Sequence, residues 1–260
     1  IEVMVSAECS GRILNFHPLE GDLLPEGEVS LNIDTTQLYL KKLGLESGFA
    51  SLNSRILTLD ARLQASRVQM DNLLREKARV EKLLEGGAAT SKQLDDIQGQ
   101  VSLLQAQMAA TASQKQAVFA ERKTLQVQIR QVEDQLQKCT VRNPIGGTLL
   151  TKYREAGEMA VPGQPLYKMA RLEELILRAY ISGNQLSSVK LGQEVEVLFD
   201  ERGGMARVKG IVSWISPSAE FTPKIIQTRE ERVNLVYAIK VIVPNDGRLK
   251  IGMPGEVDFL

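Results

Sequence analysis

Residues 38–84 read LYLKKLGLESGFASLNSRILTLDARLQASRVQMDNLLREKARVEKLL, and residues 94–139 read LDDIQGQVSLLQAQMAATASQKQAVFAERKTLQVQIRQVEDQLQKC. Alternate steps of four and three residues from Leu38 pass through Lys42, Leu45, Phe49 and Leu52 and end at Val80 and Leu84, with eleven of fourteen positions apolar. The same rule from Leu94, with a first step of three, passes through Ile97, Val101 and Leu104 and ends at Leu136 and Cys139, again with eleven of fourteen apolar. One narrow apolar stripe at this spacing is a coiled-coil seam. Two seams of equal length, separated only by Glu85 to Gln93, predict an antiparallel helical hairpin in which each seam faces the other. Its arms would be roughly 70 Å long at 1.5 Å per residue.

If Leu84 meets Leu94, Met70 faces Met108, Leu63 faces Lys115, Ile56 faces Arg122, and Ser66 lies level with Thr111. Gly44 and Gly48 should soften the base, at about 1 kcal/mol each against Ala. Taken alone, the hairpin is equally compatible with a solvated helical spacer.

The 260 residues are 43% hydrophobic and carry 32 basic and 32 acidic side chains. The balance is globular in class and gives no electrostatic bias toward nucleic acid or anionic lipid, so partners are expected to be recognised by shape. No apolar run approaches the roughly eighteen residues of a membrane span. A first residue other than Met suggests a leader or anchor outside this sequence. Cys9 and Cys139 are the two cysteines. Cys139 continues the second seam and Cys9 lies in a strand-like stretch, so two buried free thiols are expected rather than a disulfide.

Residues 1–33 read as strands and turns, with Ile1, Val3 and Val5 at a spacing of two and Gly11, Gly21 and Gly27 as breaks. Gly147, Gly157 and Gly163 repeat those intervals of ten and six after the hairpin. Ile13-Leu14 then corresponds to Leu149-Leu150, Asp22 to Glu158, and Ile33 to Met169. This is an internal repeat split by an insertion. Neither copy is long enough to close a core alone, so the two must pack together and bring the ends of the hairpin side by side.

Gly11-Arg12-Ile13-Leu14 with Glu20-Gly21-Asp22, and Asn143-Pro144-Ile145-Gly146-Gly147-Thr148 with Ala156-Gly157-Glu158, resemble the two half-motifs of a lipoyl-like, or barrel-sandwich, domain. Split by an α-hairpin and followed by a β domain, they resemble the HlyD-like membrane fusion proteins, or periplasmic adaptor subunits. The resemblance covers essentially the whole chain. It implies an α+β multidomain fold: a lipoyl-like domain whose first half is 1–34, a coiled-coil hairpin over 35–139, the second lipoyl-like half over 140–172, and a small β-barrel over 173–260.

Within the last region, strands are expected at Leu175–Ile181, around Val195, Val197 and Phe199, and over Val208–Ile215, Val233–Val243 and Glu256–Leu260, with a short helix over Asn184–Lys190 and a turn at Arg202-Gly203-Gly204. Ser218 to Pro223, Arg229 to Arg232 and Gly252-Met253-Pro254 resemble the barrel of adaptors that serve ABC transporters. The family's further membrane-proximal domain is expected to be absent, since the chain stops just after the barrel.

No catalytic constellation emerges, and no enzyme, metal or cofactor is expected. His17 is the single histidine and has no cysteine at ligand spacing. The stretch Gly157 to Gly163 lacks the Lys and Ser/Thr of a phosphate loop. Adjacent carboxylates such as Asp95-Asp96 and Glu230-Glu231 point apart on a helix. A lipoyl or biotinyl carrier is a rival reading, but the turn between halves, Ile33 to Thr36, holds no lysine before Lys41. A coiled-coil scaffold unrelated to transport is the other rival, and it leaves the split repeat unexplained.

The resemblance implies a periplasmic adaptor of a Gram-negative bacterium, attached to the inner membrane through an N-terminal segment outside this sequence. It would join an inner-membrane transporter, of the ABC type rather than the RND type, to a TolC-like outer-membrane channel, and self-associate into a ring of six. The family's tip pattern is Arg, Leu four residues later, and Ser seven after that. Arg79, Leu83 and Thr90 match those intervals, with Ser91 as a substitute hydroxyl. Glu85-Gly86-Gly87 should end the first helix, and Thr90 with Gln93 has capping-box spacing, so Thr90 should start the second.

Overall fold

The computed structural model describes residues 1–201, 204–221 and 235–259. The first eight strands are β1 (Glu2–Ser6), β2 (Gly11–Phe16), β3 (Leu23–Leu24), β4 (Val29–Ile33), then β5 (Thr140–Arg142), β6 (Gly147–Lys152), β7 (Met159–Ala160) and β8 (Pro165–Ala170). They form two sheets, in the orders β1-β8-β6-β3 and β5-β4-β2-β7. Exchanging the first four strands for the second four converts one order into the other, so the repeat read from the glycines is a pseudo-twofold axis. Each sheet takes two strands from each half, which is why neither half can fold alone.

The backbone bonds between the halves are reciprocal. Gly21 N donates to Leu149 O and Gly157 N to Ile13 O, both at 2.8 Å, while Leu149 N donates to Asp22 O and Ile13 N to Glu158 O. Ile13, Leu149, Ile33 and Met169 are all essentially fully buried. Gly21 and Gly157 take φ of 98° and 94°, the left-handed region expected of these turns. Gly11 and Gly147 are glycines for another reason: a Cβ on Gly147 would lie 2.5 Å from Ala170 O, and one on Gly11 would lie 3.0 Å from Asp34 O. Between the sheets, buried Asn143 accepts hydrogen bonds from Tyr167 Oη (2.8 Å) and Ser30 Oγ, and donates to Pro25 O (3.1 Å). Burial raises the Tyr167 phenol above its ordinary pKa and so keeps it a donor.

Helices α1 (Thr36–Glu85) and α2 (Ser91–Lys138) are 50 and 48 residues long, about 75 Å at 1.5 Å per residue. Their buried residues, Ile56, Leu59 and Val80 on one and Val101, Leu104, Val118 and Val132 on the other, all lie on the seams read from the sequence.

The seam cations do not face the residues expected of them. Lys115 pairs with Asp60 rather than facing Leu63, and Arg122 donates to Asn53 Oδ1 at 3.1 Å rather than facing Ile56. The offset is one of register and not of side-chain reach: Lys42 pairs with Glu133 and Val118 packs with Ile56 and Leu59, so α1 faces α2 about three positions nearer the base than a Leu84–Leu94 pairing would set it. The Arg122 guanidinium also lies 4.9 Å from the Phe119 ring centre and 5.8 Å from that of Phe49. Gly44 has open space where a Cβ would be, as a softening residue should, but a Cβ on Gly48 would sit 3.2 Å from Leu125 Cδ2, so that glycine also makes room for the partner helix.

The cysteines overturn the expectation of free thiols: Cys9 and Cys139 form a disulfide with their Cα atoms 5.4 Å apart. Cys139 does end α2, as its C-cap. The fold returns that cap to the turn between β1 and β2, a consequence of the two halves pairing that separation along the chain does not reveal. Ile33 N donates to Cys139 O at 2.9 Å beside it.

The remaining strands are β9 (Glu174–Ser182), β10 (Glu194–Glu201), β11 (Gly204–Ile215), β12 (Glu220–Phe221), β13 (Leu235–Pro244) and β14 (Glu256–Asp258). They form one antiparallel sheet in the order β9-β13-β11-β10-β14, with β12 added at the start of β13. Leu177 from one edge strand and Val257 from the other pack on the same core of Val195, Val197, Ile239 and Val241, so the sheet curls into a barrel. The expected helix over Asn184–Lys190 is only α3 (Gly183–Leu186). Ser187 and Ser188 are poor helix formers, and Val189 turns inward to become buried. Arg202-Gly203, Thr222-Pro223, Arg229 to Arg232, Val233 and Leu260 lie outside the described residues.

Alkylation of denatured protein without reductant should find no free thiol, and Cys139→Ser should destabilise the lipoyl-like unit by about 2–5 kcal/mol in chemical denaturation. Gly147→Ala should destabilise it by about 1–3 kcal/mol, because the added methyl meets backbone. Gly44→Ala should stabilise the hairpin by about 1 kcal/mol.

Candidate docking site at the hairpin tip

The tip follows from two helix-ending signals. α1 closes in a Schellman turn: Ala88 N donates to Leu83 O at 2.8 Å and Gly87 N to Leu84 O at 3.0 Å, with Gly87 at φ 71°. α2 opens with the expected capping box, in which Thr90 N donates to Gln93 Oε1 at 2.8 Å and Gln93 N to Thr90 Oγ1 at 3.3 Å. These bonds satisfy backbone groups at both helix ends and fix a short loop, Gly86 to Thr90.

The seam runs to the end of both helices, with Val80 buried and Leu84 and Leu94 half-buried. Leu83 turns away from it and is 44% exposed. Arg79, one turn below on the same face, is exposed and pairs with Glu76 of its own helix. Thr90 and Ser91 are exposed across the loop. The structure therefore sets all four residues on the terminal turns of the hairpin.

The two hydroxyls differ, which the spacing of residues did not reveal. That of Thr90 is engaged by Gln93, whereas that of Ser91 has no protein partner among the described residues. The tip can thus offer a guanidinium, an isobutyl group and a free hydroxyl to another surface. Among the described residues no group of three His, Cys, Asp or Glu side chains could hold a metal ion, and no helix is long and apolar enough to cross a membrane.

The architecture is shared with solved proteins. The chain superposes on MacA from Actinobacillus actinomycetemcomitans with a TM-score of 0.62 at 21% identity, covering 98% of this chain and 73% of that one. It matches the membrane fusion protein Spr0693 from Streptococcus pneumoniae R6 with a TM-score of 0.55 at 17% identity, covering 100% and 99%. The periplasmic adaptor protein EmrA matches with 0.51 at 17%, covering 99% and 94%. The chain shares the fold of these proteins.

In sequence it is 36% identical over 126 residues to the UPF0194 membrane protein YE2891 of Yersinia enterocolitica, and 36% identical over 125 residues to the UPF0194 membrane protein YbhG of Salmonella arizonae. Each match covers 48% of this chain and 38% of the relative's length. No family model matches the chain.

Thr90→Ala removes one of the two box contacts and should cost about 1 kcal/mol at the tip. The expected result is faster amide exchange in the first turn of α2, with the amides beside Val118 unchanged.

Proposed function

We propose that this chain is the periplasmic adaptor of a tripartite export system, holding an inner-membrane transporter of the ABC type to a TolC-like outer-membrane channel. The role is mechanical rather than enzymatic. The carrying observation is the exposure of Leu83 beside the half-buried Leu84, at the free end of a hairpin whose other end is locked into a β unit. A spacer has no use for a second apolar side chain there, whereas a docking tip does. In this reading Arg79, Leu83 and Ser91 contact the channel, and Thr90 chiefly shapes the turn.

The Cys9–Cys139 disulfide supports the compartment, because such bonds persist in oxidising spaces such as the bacterial periplasm. Copies would assemble through the lipoyl-like and barrel units into a ring of six, so that one weak tip contact is repeated and the total affinity rises steeply.

Arg79→Asp or Leu83→Asp should abolish export and channel copurification. Thermal unfolding and the mass of the assembled ring should stay at the unsubstituted values, since both side chains lie outside the core. Normal export by both variants would show that the tip is not the docking site.

A further inference from the structure

We propose that the barrel binds a single-chain amphiphile, one acyl chain with an anionic head, in the gap where its sheet stops short of closing. The inference does not depend on the docking reading of the tip.

The gap follows from the strand pairing. β9 pairs with β13 alone and β14 with β10 alone, so the sheet curls without a ladder between its two end strands. β14 also pairs only with Glu196 to Leu198 of β10, which leaves Phe199 to Glu201 without a neighbouring strand on that side. The loop Leu249–Gly255 spans what remains, and it is pinned at both ends. Asn245 Oδ1 accepts from Leu249 N at 3.0 Å, while Asn245 Nδ2 donates to Leu249 O (3.1 Å) and to Leu172 O (2.9 Å) in the segment before β9. At the other end a Cβ on Gly255 would lie 3.3 Å from Leu198 O and 3.5 Å from the Leu177 methyls. Between these points the loop turns on Gly252, at φ 84°, with Met253 N donating to Lys250 O at 3.1 Å.

Under this arch lies a cavity of about 320 Å³. That is the size of a small-molecule site, roughly 300–1,000 Å³. Leu175 and Leu177 of β9, Val197 and Phe199 of β10, Val243 of β13 and Leu249 of the loop line it. Val197, Phe199 and Val243 are buried core residues, so the cavity reaches the barrel interior. Water is poorly held by such walls because it finds no polar partners there, and walls facing a void lose dispersion contacts. An apolar ligand restores those contacts, as in other small barrels that hold one molecule.

The mouth selects the head group. Arg171 and Lys250 are exposed on its rim, and neither forms an ion pair among the described residues. Of the rim carboxylates, Glu2 is held by Lys168, which leaves Glu174. Two cations against one carboxylate favour an anion, and a head at the rim stays hydrated while its chain is buried. Ile176 and Ile251, 57% and 50% exposed, give the chain apolar surface to cross on entry. The opening is a slot between a strand edge and a loop, closed where Leu177 meets Gly255, so it admits a slim chain and excludes a broad ring system.

Calorimetric titration of the full chain with laurate, below its micellar concentration, tests this. One laurate per chain should bind saturably and raise the thermal midpoint, and affinity should rise about fourfold per methylene from octanoate to laurate. Dodecyltrimethylammonium, with a cationic head on the same length of chain, should bind about tenfold more weakly. Arg171→Glu with Lys250→Glu should remove that preference and keep the chain-length dependence. Both side chains are exposed, so the variant should fold normally. Met253→Trp, which sets an indole over the cavity from the loop, should abolish saturable binding. A lysophosphatidylglycerol with the same acyl chain separates the sources: binding as tight as that of laurate assigns the site to a lysolipid, and its exclusion assigns the site to a free fatty acid. Affinity independent of chain length, equal binding of the cationic amphiphile, or laurate binding unchanged by Met253→Trp would overturn the site. Absence of saturable binding by the full chain, as when another segment fills the cavity, would overturn it as well.

Discussion

Two four-stranded sheets, each made half from residues before the hairpin and half from residues after it, are the constraint on which the rest depends. The chain must leave the β unit after Ile33, travel along α1 and back along α2, and return to pair Thr140–Arg142 beside Val29–Ile33. Only helices of nearly equal length allow that. The ends of the excursion are fastened in three ways. Ile33 N donates to Cys139 O, Leu38 packs on the lipoyl-like core, and Cys9 bonds to Cys139. At the start of α1, Asp34 accepts from the Thr36 hydroxyl at 2.6 Å and from Thr36 N at 2.9 Å. These bonds hold its carboxyl below the ordinary carboxylate range.

Along the arms, stability and specificity come from different residues. Buried seam side chains contribute roughly 1.5–3 kcal/mol each, yet apolar layers alone would let one helix slide past the other by a turn. Lys42 with Glu133, Lys115 with Asp60, and Arg122 with Asn53 oppose that, because any slip separates all three pairs. The pairs are part-exposed, so each adds little energy. Their value lies in register, the best-attested use of polar groups in a seam.

Where a pattern is periodic, it was legible in the sequence. The seams, the glycine intervals and the capping box of Thr90 each reflect a local rule, and each is found in the structure. What the sequence hid was contact between distant positions. Cys9 and Cys139 each looked like a buried apolar residue, and their burial is real, but burial says nothing of what lies alongside. Gly11 and Gly147 were read as turn glycines, whereas the backbone packed against them is what excludes a side chain. At the tip the four residues were singled out by spacing alone, while the free hydroxyl of Ser91 depended on which side chain Gln93 engages.

In the proposed docking role the hairpin would act as a lever, which transmits position only if it is stiff at its root and specific at its end, and the two demands would fall to its two termini. The root is tied by a disulfide and by a core containing the fully buried Leu149, Leu166 and Met169. The tip is closed almost entirely by bonds of its own backbone and by Thr90 with Gln93, which leaves its side chains free for another surface. Placing Leu83 one position from Leu84 exploits the seam twice: the buried leucine fixes the helix end, and the exposed one inherits that fixed direction. A bound partner would therefore meet a surface already ordered, and the entropy of ordering it was lost on folding rather than on docking.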